Sequence, residues 1–474
     1  FAKVIEEEPA CAMAYWGVAM SNFHPLWTPP LEEELKKGSK AIEIAQSIAG
    51  KSKREEGYIN AIASFYNNWD QLDHRARCLK FEKSMADLYG AYPDDKEAAI
   101  FYALSLDAAA DPTDKTFAKQ KKAGAILNAL YQQQPDHPGI VHYIIHTYDS
   151  PELAELALPA ARRYASVAPS SAHALHMPSH IFTRLGLWEE CIKSNLASIS
   201  SAQCYAQSSG IRGHWDEELH ALDYLMYSYL QKGDNLRAKE LLDYLDTITL
   251  VQPFNFKVAY AFASIPSRYV FENKLWKDAT QLRAHLDHLS WDNFQWQKAI
   301  VNFTRLMGFV HTADMKSANT ELKELYDIHQ KLIDQKDAYK ANQVAIQIKS
   351  SEAWIKFKEG KNSEALTLMM EAADMEDKTE KHPVTPGEVI PAKELLGDLL
   401  MGMNKPAEAL HAYEEDLKKH PNRFNGVSGA AAAAEKSGDV EKARSYYQQL
   451  LTISNGVNSN RAELKIAAKY LKKI

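Results

Sequence analysis

Cysteine is scarce in this chain of 474 residues. The four cysteines, Cys11, Cys78, Cys191 and Cys204, lie far apart, and no two of them have the CxxC spacing. The sequence therefore indicates neither a disulfide framework nor a cysteine-based zinc site. We interpret all four as thiols of the hydrophobic core, because unpaired cysteine packs as a small apolar residue.

Long apolar runs and an excess of basic charge are also missing. No apolar run approaches the roughly 20 residues that a membrane-spanning helix needs, so no membrane span is predicted. The 55 Lys and Arg residues are outnumbered by 62 Asp and Glu residues, which gives a net charge of -7. Without a basic stripe to neutralise phosphates, nucleic acid is not predicted as the main partner.

The chain begins with Phe1 rather than methionine. Removal of a secretory signal explains this start, as does a trimmed or unseen upstream segment. A periplasmic or exported location and a cytoplasmic one therefore both stay open. The oligomeric state is not predicted.

The first half of the chain contains an internal repeat. Ala123, Pro135, His142 and His146 recur, at one constant spacing, as Ala157, Pro169, His176 and His180. The spacing is the period of about 34 residues that is typical of the tetratricopeptide repeat (TPR), a helix-turn-helix unit. The sequence thus predicts an all-α fold, a TPR-type α-solenoid in which the repeats form a right-handed superhelix.

The repeats differ in regularity along the predicted solenoid, which we expect to occupy residues 1–474 as a single array. Its predicted parts are N-terminal repeats in 1–120, histidine-bearing repeats in 121–200, central repeats in 201–380, and a loop with regular TPRs in 381–474. Residues 194–209 are predicted to be a looser polar stretch. The Pro- and Gly-rich residues 381–391 are predicted to be non-helical, either a lid over the groove or a plain linker.

The helical period predicts where the repeated histidines point. In the first helix of one repeat, from Pro138 to Asp149, the apolar residues form one stripe, and His142 and His146 lie on another. In a TPR array this second face lines the concave groove. The next first helix carries His173, His176 and His180, with a kink expected because Pro178 removes a backbone hydrogen bond.

Imidazole is the commonest metal ligand in proteins, and two histidines at i and i+4 can bind one ion. In a later repeat, His220 is predicted to lie at the corresponding groove-facing position of the first helix. The candidate metal ligands are His142, His146, His176, His180, His173 and His220. Such a set favours a transition metal ion, Zn, Cu or Fe, over Mg or Ca. The alternative is a metal-free polar groove in which these side chains are solvated or hydrogen-bonded.

Three charged residues are candidates for a catalytic role in the same groove. Arg184, one turn after His180, suits a carboxylate or phosphate of a ligand, or else pairs with Asp149. Asp223 lies just after His220 and is placed to orient an imidazole. Glu394 is predicted to be the groove residue of its helix, and to act as a general base or carboxylate anchor.

Four segments are more specific than the general TPR pattern. They are CAMAYWG at Cys11–Gly17, HYIIHTYD at His142–Asp149, HMPSHIF at His176–Phe182 and PAKELLG at Pro391–Gly397. By these segments the chain resembles a bacterial family of TPR proteins over nearly its whole length. The resemblance implies the TPR fold, and often an export signal with an upstream helix that carries another histidine and an acidic residue. It implies no particular activity.

Two functions of different classes follow. In the first, the protein binds a metal in its groove and is a metal-dependent enzyme, hydrolytic or oxidative, acting on a small molecule or short peptide. In the second, it is a non-catalytic scaffold that binds a peptide or protein partner in the groove, as fold analogy favours. Histidines in place of the Lys, Arg and Asn typical of peptide-binding TPR grooves favour the first.

Overall fold

The structure is a computed structural model that describes residues 1–26, 29–286 and 291–473. The helices of the first third are α1 Ala2–Glu7, α2 Ala12–Ser21, α3 Glu32–Ser47, α4 Lys53–Tyr66, α5 His74–Ala91, α6 Lys96–Ala108, α7 Ala118–Tyr131, α8 Pro138–Thr147 and α9 Ala154–Val167. The next are α10 Ala172–His176, α11 Pro178–Arg184, α12 Trp188–Ser208, α13 Asp216–Gln231, α14 Asn235–Thr247, α15 Phe256–Glu272, α16 Trp276–Ala279 and α17 Gln295–His311. The last are α18 Met315–Asp334, α19 Ala338–Lys358, α20 Asn362–Asp377, α21 Ala392–Gly402, α22 Pro406–Lys419, α23 Phe424–Ser437, α24 Val440–Ile453 and α25 Ala462–Leu471.

Extended structure is confined, among the described residues, to two short strands, β1 His214–Trp215 and β2 Val251–Gln252, which pair in parallel. Successive helices pack against each other as helix-turn-helix pairs, such as α6 with α7, α17 with α18 and α19 with α20. The predicted fold class, an all-α TPR-type solenoid, is confirmed. No helix within the described ranges is both long and apolar enough to cross a membrane.

The chain divides into two compact units. Unit 1 comprises Phe1–Asp149, Pro159–Val167 and His382–Val384, and unit 2 comprises Ser150–Leu158, Ala168–Lys381 and Thr385–Ile474. The boundaries of the four parts of the array remain predictions.

Two short turns between helices of unit 2 share one local design. A residue with positive φ, Gly233 in one turn and Gly438 in another, ends the preceding helix, and an aspartate follows it. The side chains of Asp234 and Asp439 then accept the backbone N–H groups at the start of α14 and α24. Glycine adopts positive φ without strain, and aspartate is a preferred N-cap. The Gly-Asp pairs thus reverse the chain in a very short connection.

The C-terminal repeats pack as the TPR pattern predicts. Ala409 and Tyr413 are buried, and so are Ala443 and Tyr447 at the same positions of the following repeat. A Cβ atom on Gly397 would lie 2.5 Å from the ring of Tyr413, so only glycine lets α21 and α22 approach this closely. These alanine and tyrosine side chains therefore form the core of the two repeats.

Two predictions about the middle of the chain are wrong. Residues 194–209 are not a looser stretch, because α12 runs through them without interruption and is 21 residues long. Its serines and Asn195 hydrogen-bond backbone carbonyls, as Ser198 does with Ala172 of the neighbouring helix. The cysteines are not all core thiols either: Cys78 and Cys191 are buried, but Cys204 is exposed.

Candidate functional site

A break in one helix places two histidines of the candidate site. The predicted kink at Pro178 is present: α10 ends at His176, and α11 begins at Pro178. Proline has no N–H to donate, so the helix is interrupted where that bond would form. His180 lies in the first turn of α11, and its Nε2 is 3.2 Å from Nε2 of His176.

A third histidine joins this pair from α13. Each of His176, His180 and His220 offers one ring nitrogen, and these three atoms all lie within 4.8 Å of one another. The ring of His220 is 4.2 Å from that of His176, centroid to centroid, and 6.4 Å from that of His180. The three residues are 1%, 3% and 6% exposed. We call this group the histidine triad.

Asn195 of α12 fixes the orientation of one ring. Its Nδ2 donates a hydrogen bond to the carbonyl of Cys191 at 2.8 Å, so its Oδ1 is left as an acceptor. The Nδ1 of His176 lies 2.7 Å from this Oδ1 and must donate to it. In a neutral ring the proton is then on Nδ1, and the Nε2 lone pair is directed toward the other histidines. This is the arrangement that metal-ligating histidines commonly have.

Burial disfavours positive charge on the triad. The pKa of His176 is lowered well below 6.5, first by burial and then by the charge of His180. The pKa of His220 is lowered likewise, by burial and by His176. Imidazolium groups at this separation would repel one another in a medium that solvates them poorly. Tyr224 closes one side of the triad, with its hydroxyl 3.4 Å from each ring nitrogen of His180.

The other predicted ligands have different surroundings. In unit 1, the rings of His142 and His146 lie 4.7 Å apart, and Nδ1 of His142 is 3.2 Å from the hydroxyl of Tyr164. In unit 2, Nδ1 of His173 is 3.6 Å from a carboxylate oxygen of Glu217, and its side chain is 42% exposed. The metal-binding roles of His142, His146 and His173 remain predictions.

Asp223, one turn after His220 on α13, is buried in an ion pair. Its Oδ1 accepts hydrogen bonds from Ser264, at 2.7 Å, and from Arg268. Burial raises the pKa of Asp223, and the charge of Arg268 opposes this rise. The guanidinium of Arg268 also donates to the carbonyl of Gly387 at 2.8 Å. Asp223 therefore connects the triad helix to the Pro- and Gly-rich loop.

Glu394 is also buried in an ion pair. Arg423 donates from Nε to Glu394 at 2.9 Å and from Nη2 to Glu272 at 2.6 Å. Burial raises the pKa of Glu394 to about 7, although the nearby Arg423 lowers it. Arg184, the third predicted catalytic residue, is buried on α11. The catalytic roles of Asp223, Arg184 and Glu394 remain predictions.

Sequence reasoning missed Asn195 and Arg423, and it placed Arg268 near the groove without finding its partner Asp223. Asn195 lies on the helix that follows the triad pair, within a run that reads as polar and irregular, so no spacing signal connects it to His176. Arg268 and Arg423 find their carboxylate partners 45 and 29 residues away along the chain. Such pairs form only when particular helices pack together. The sequence does not show which helices these are.

His420, which follows α22 directly, binds the same loop. Its Nδ1 is 2.9 Å from Asp416 and its Nε2 is 3.0 Å from Glu388. Two carboxylate partners require both ring nitrogens to donate, so the ring is an imidazolium. Burial acts to lower the pKa of His420, but the charges of Asp416 and Glu388 outweigh it and raise this pKa to about 9.

This pair of contacts predicts a loss of stability at high pH. Folding raises the pKa of His420, so the two ion pairs of His420 stabilise the folded protein fully below pH 6.5, the ordinary pKa of histidine. This stabilisation disappears as the pH rises through about 9. The difference in free energy of unfolding between wild type and His420→Gln should shrink by on the order of 3 kcal/mol between pH 6 and 10. Chemical denaturation of both proteins at several pH values measures this difference. A difference that does not depend on pH would contradict the presence of an imidazolium at His420.

Comparison with known proteins identifies no family for this chain. No protein-family model matches it, and no curated protein matches it. Among solved structures, it is similar to a human IFIT1 dimer with PPP-AAAA, at 10% identity and a TM-score of 0.39, covering 90% of this chain and 88% of that one. It is also similar to yeast Tom70, at 11% identity and a TM-score of 0.38, covering 98% and 95%.

Proposed function

We propose that the protein is a metal-binding TPR protein, and that His176, His180 and His220 hold one transition metal ion. The observation that carries the proposal is the convergence of three buried imidazoles, whose ligand atoms lie within 4.8 Å of one another. Burying three polar rings costs free energy unless their nitrogens find partners. A bound ion supplies one partner for all three.

The three imidazole ligands limit the kinds of metal ion that the site can bind. Three neutral nitrogen ligands suit Zn, Cu or Fe, and they disfavour Mg and Ca, which prefer oxygen. Asn195 accepts a hydrogen bond from Nδ1 of His176, which fixes the tautomer of this ring and leaves Nε2 free to bind the ion. The side chains therefore fit a metal of this class.

We further propose that the protein is a metal-dependent enzyme that uses this ion to act on a small molecule or short peptide. Three histidines leave coordination positions open on a zinc, copper or iron ion, and an ion of this kind supplies an activated water or a site for O₂. Tyr224 places its hydroxyl against the ring of His180, where it is suited to hold or give a proton. Hydrolytic and oxidative chemistry both fit this donor set.

Cobalt titration of the purified, metal-stripped protein tests the binding site. His220→Ala should weaken Co²⁺ binding by at least about a hundredfold, more than the roughly 10–100-fold typical of losing a group that only supports a ligand. The visible absorption bands of histidine-bound Co²⁺ report binding at the triad. His329→Ala, which changes a histidine of α18 outside the triad, should bind as wild type does. Equal affinity in both variants would exclude the triad as the site.

A further inference from the structure

Tyr224 packs against all three rings of the histidine triad. It lies on α13, one turn after His220, and residues four apart on a helix are neighbours on its surface. The centroid of its ring is 4.6 Å from that of His176, 5.0 Å from that of His180 and 5.6 Å from that of His220. Tyr224 is fully buried. Its hydroxyl therefore lies in the same enclosed space as the ligand nitrogens.

Two distances within this group match the spacing of ligands around one ion. Nε2 of His176 is 3.2 Å from Nε2 of His180. The hydroxyl oxygen of Tyr224 is 3.4 Å from that same Nε2 of His180. Two atoms that bind one ion at about 2.0–2.1 Å, with an angle of about 90–110° at the metal, lie roughly 2.8–3.4 Å apart. Both observed distances fall within this range, so the hydroxyl is placed as a further ligand would be.

The orientation of the His180 ring needs only a small adjustment to bind such an ion. The Tyr224 hydroxyl is also 3.4 Å from Nδ1 of His180, so it lies between the two nitrogens of that ring. A rotation about the Cβ–Cγ bond of His180 directs the Nε2 lone pair to an ion that Tyr224 and the other two histidines share. This torsion has a broad energy minimum in histidine, so the rotation costs little free energy.

The charge of the ion supplies a reason for an anionic ligand. The three imidazoles are neutral when they bind a metal, so they leave the positive charge of the ion uncompensated. In a buried site an uncompensated charge is costly. A deprotonated phenol is an anionic oxygen ligand, and it would offset part of this charge from within the site.

We propose that Tyr224 is the fourth protein ligand of the metal ion, bound through its oxygen as a phenolate. The proposal rests on the proposed metal site of His176, His180 and His220. When Tyr224 binds, its O–H bond breaks, the oxygen donates an electron pair to the ion, and the proton leaves to solvent.

A fourth protein ligand narrows the choice of metal further. Four protein ligands complete the tetrahedral coordination of zinc, as in structural zinc sites. Copper(II) and iron accept five or six ligands, so positions for water or O₂ stay open on them. The ligand set of three histidines and Tyr224 therefore favours copper or iron as the catalytic ion, and oxidative over hydrolytic chemistry.

The visible spectrum of the full chain loaded with Cu²⁺ tests the proposal. Cu²⁺ bound to a phenolate has an intense charge-transfer band in the visible range, whereas Cu²⁺ bound only to imidazoles absorbs weakly there. The test variant is Tyr224→Phe, which removes the hydroxyl and keeps the ring. The matched control is Tyr229→Phe, because Tyr229 is also a buried tyrosine of α13 but packs against Arg237. Far-UV circular dichroism checks that both variants fold.

We expect wild type and Tyr229→Phe to bind one Cu²⁺ each and to show the charge-transfer band. Tyr224→Phe should still bind one Cu²⁺ through the three imidazoles, at least about tenfold more weakly, and should lack the band. Resonance Raman spectra excited in this band should show phenolate ring vibrations in wild type. This last measurement needs no variant.

The outcomes separate this proposal from the proposed metal site. Wild type that binds one Cu²⁺ at the triad without phenolate vibrations, or a band that Tyr224→Phe retains, would overturn the role of Tyr224 and leave the histidine site standing. Wild type that binds no Cu²⁺, or binds it no more tightly than His220→Ala does, would overturn both.

Discussion

Zinc at about a thousand times its Kd should raise the free energy of unfolding of the metal-stripped protein by about 4 kcal/mol, because a ligand that binds only the folded state stabilises it by mass action. The triad draws its ligands from α10, α11 and α13. The ion would therefore join helices that belong to successive repeats. Chemical denaturation followed by circular dichroism measures the increment.

His180→Ala should lose most of this increment, leaving at most about 1.4 kcal/mol, because a hundredfold loss of affinity leaves zinc at only about ten times its Kd. His329→Ala serves as the control, since it also removes an imidazole but lies outside the triad. An increment in His180→Ala as large as that in wild type would show that zinc stabilises the protein from another site.

Arg423→Ala should lower the free energy of unfolding by about 3–5 kcal/mol, the usual cost of leaving buried charges without their partner. Arg423 is fully buried and donates to both Glu394 and Glu272. Its removal leaves two carboxylates in a site that solvates them poorly. Protonation of Glu394, whose pKa is already raised to about 7, would recover only part of the loss.

Arg237→Ala is the matched control for this change. Arg237 also pairs with a carboxylate, that of Asp234 at 3.6 Å, but its side chain is 60% exposed. Its loss should cost at most about 1 kcal/mol, as is usual for surface ion pairs. Denaturation curves of the two variants, measured side by side, give the difference. Similar losses would mean that the Arg423 pairs contribute no more than a surface contact.

The sequence predicted the fold class because helical periodicity and a regular internal repeat are local signals. The same signals brought His176 and His180 to one face, and the register of the later repeat added His220. The break at Pro178 also followed from a local rule, since proline cannot donate the helical hydrogen bond.

The sequence could not predict what surrounds the triad. Asn195 reaches His176 because α12 packs against α10 and α11, and a polar run gives no sign of that packing. The partners of Asp223 and Glu394 were missed for the same reason. Their roles were inferred from register alone, whereas the structure shows each in a buried ion pair with an arginine.

X-ray absorption at the zinc edge of the zinc-loaded protein tests the metal centre most directly. An ion held by the triad should have three imidazole nitrogens at about 2.0–2.1 Å in wild type, and two in His220→Ala. A spectrum without imidazole scattering, or one that His220→Ala leaves unchanged, would exclude this coordination. Without imidazole scattering, the buried histidines would serve only the packing of a helical scaffold, and with an unchanged spectrum the zinc would be bound at another site.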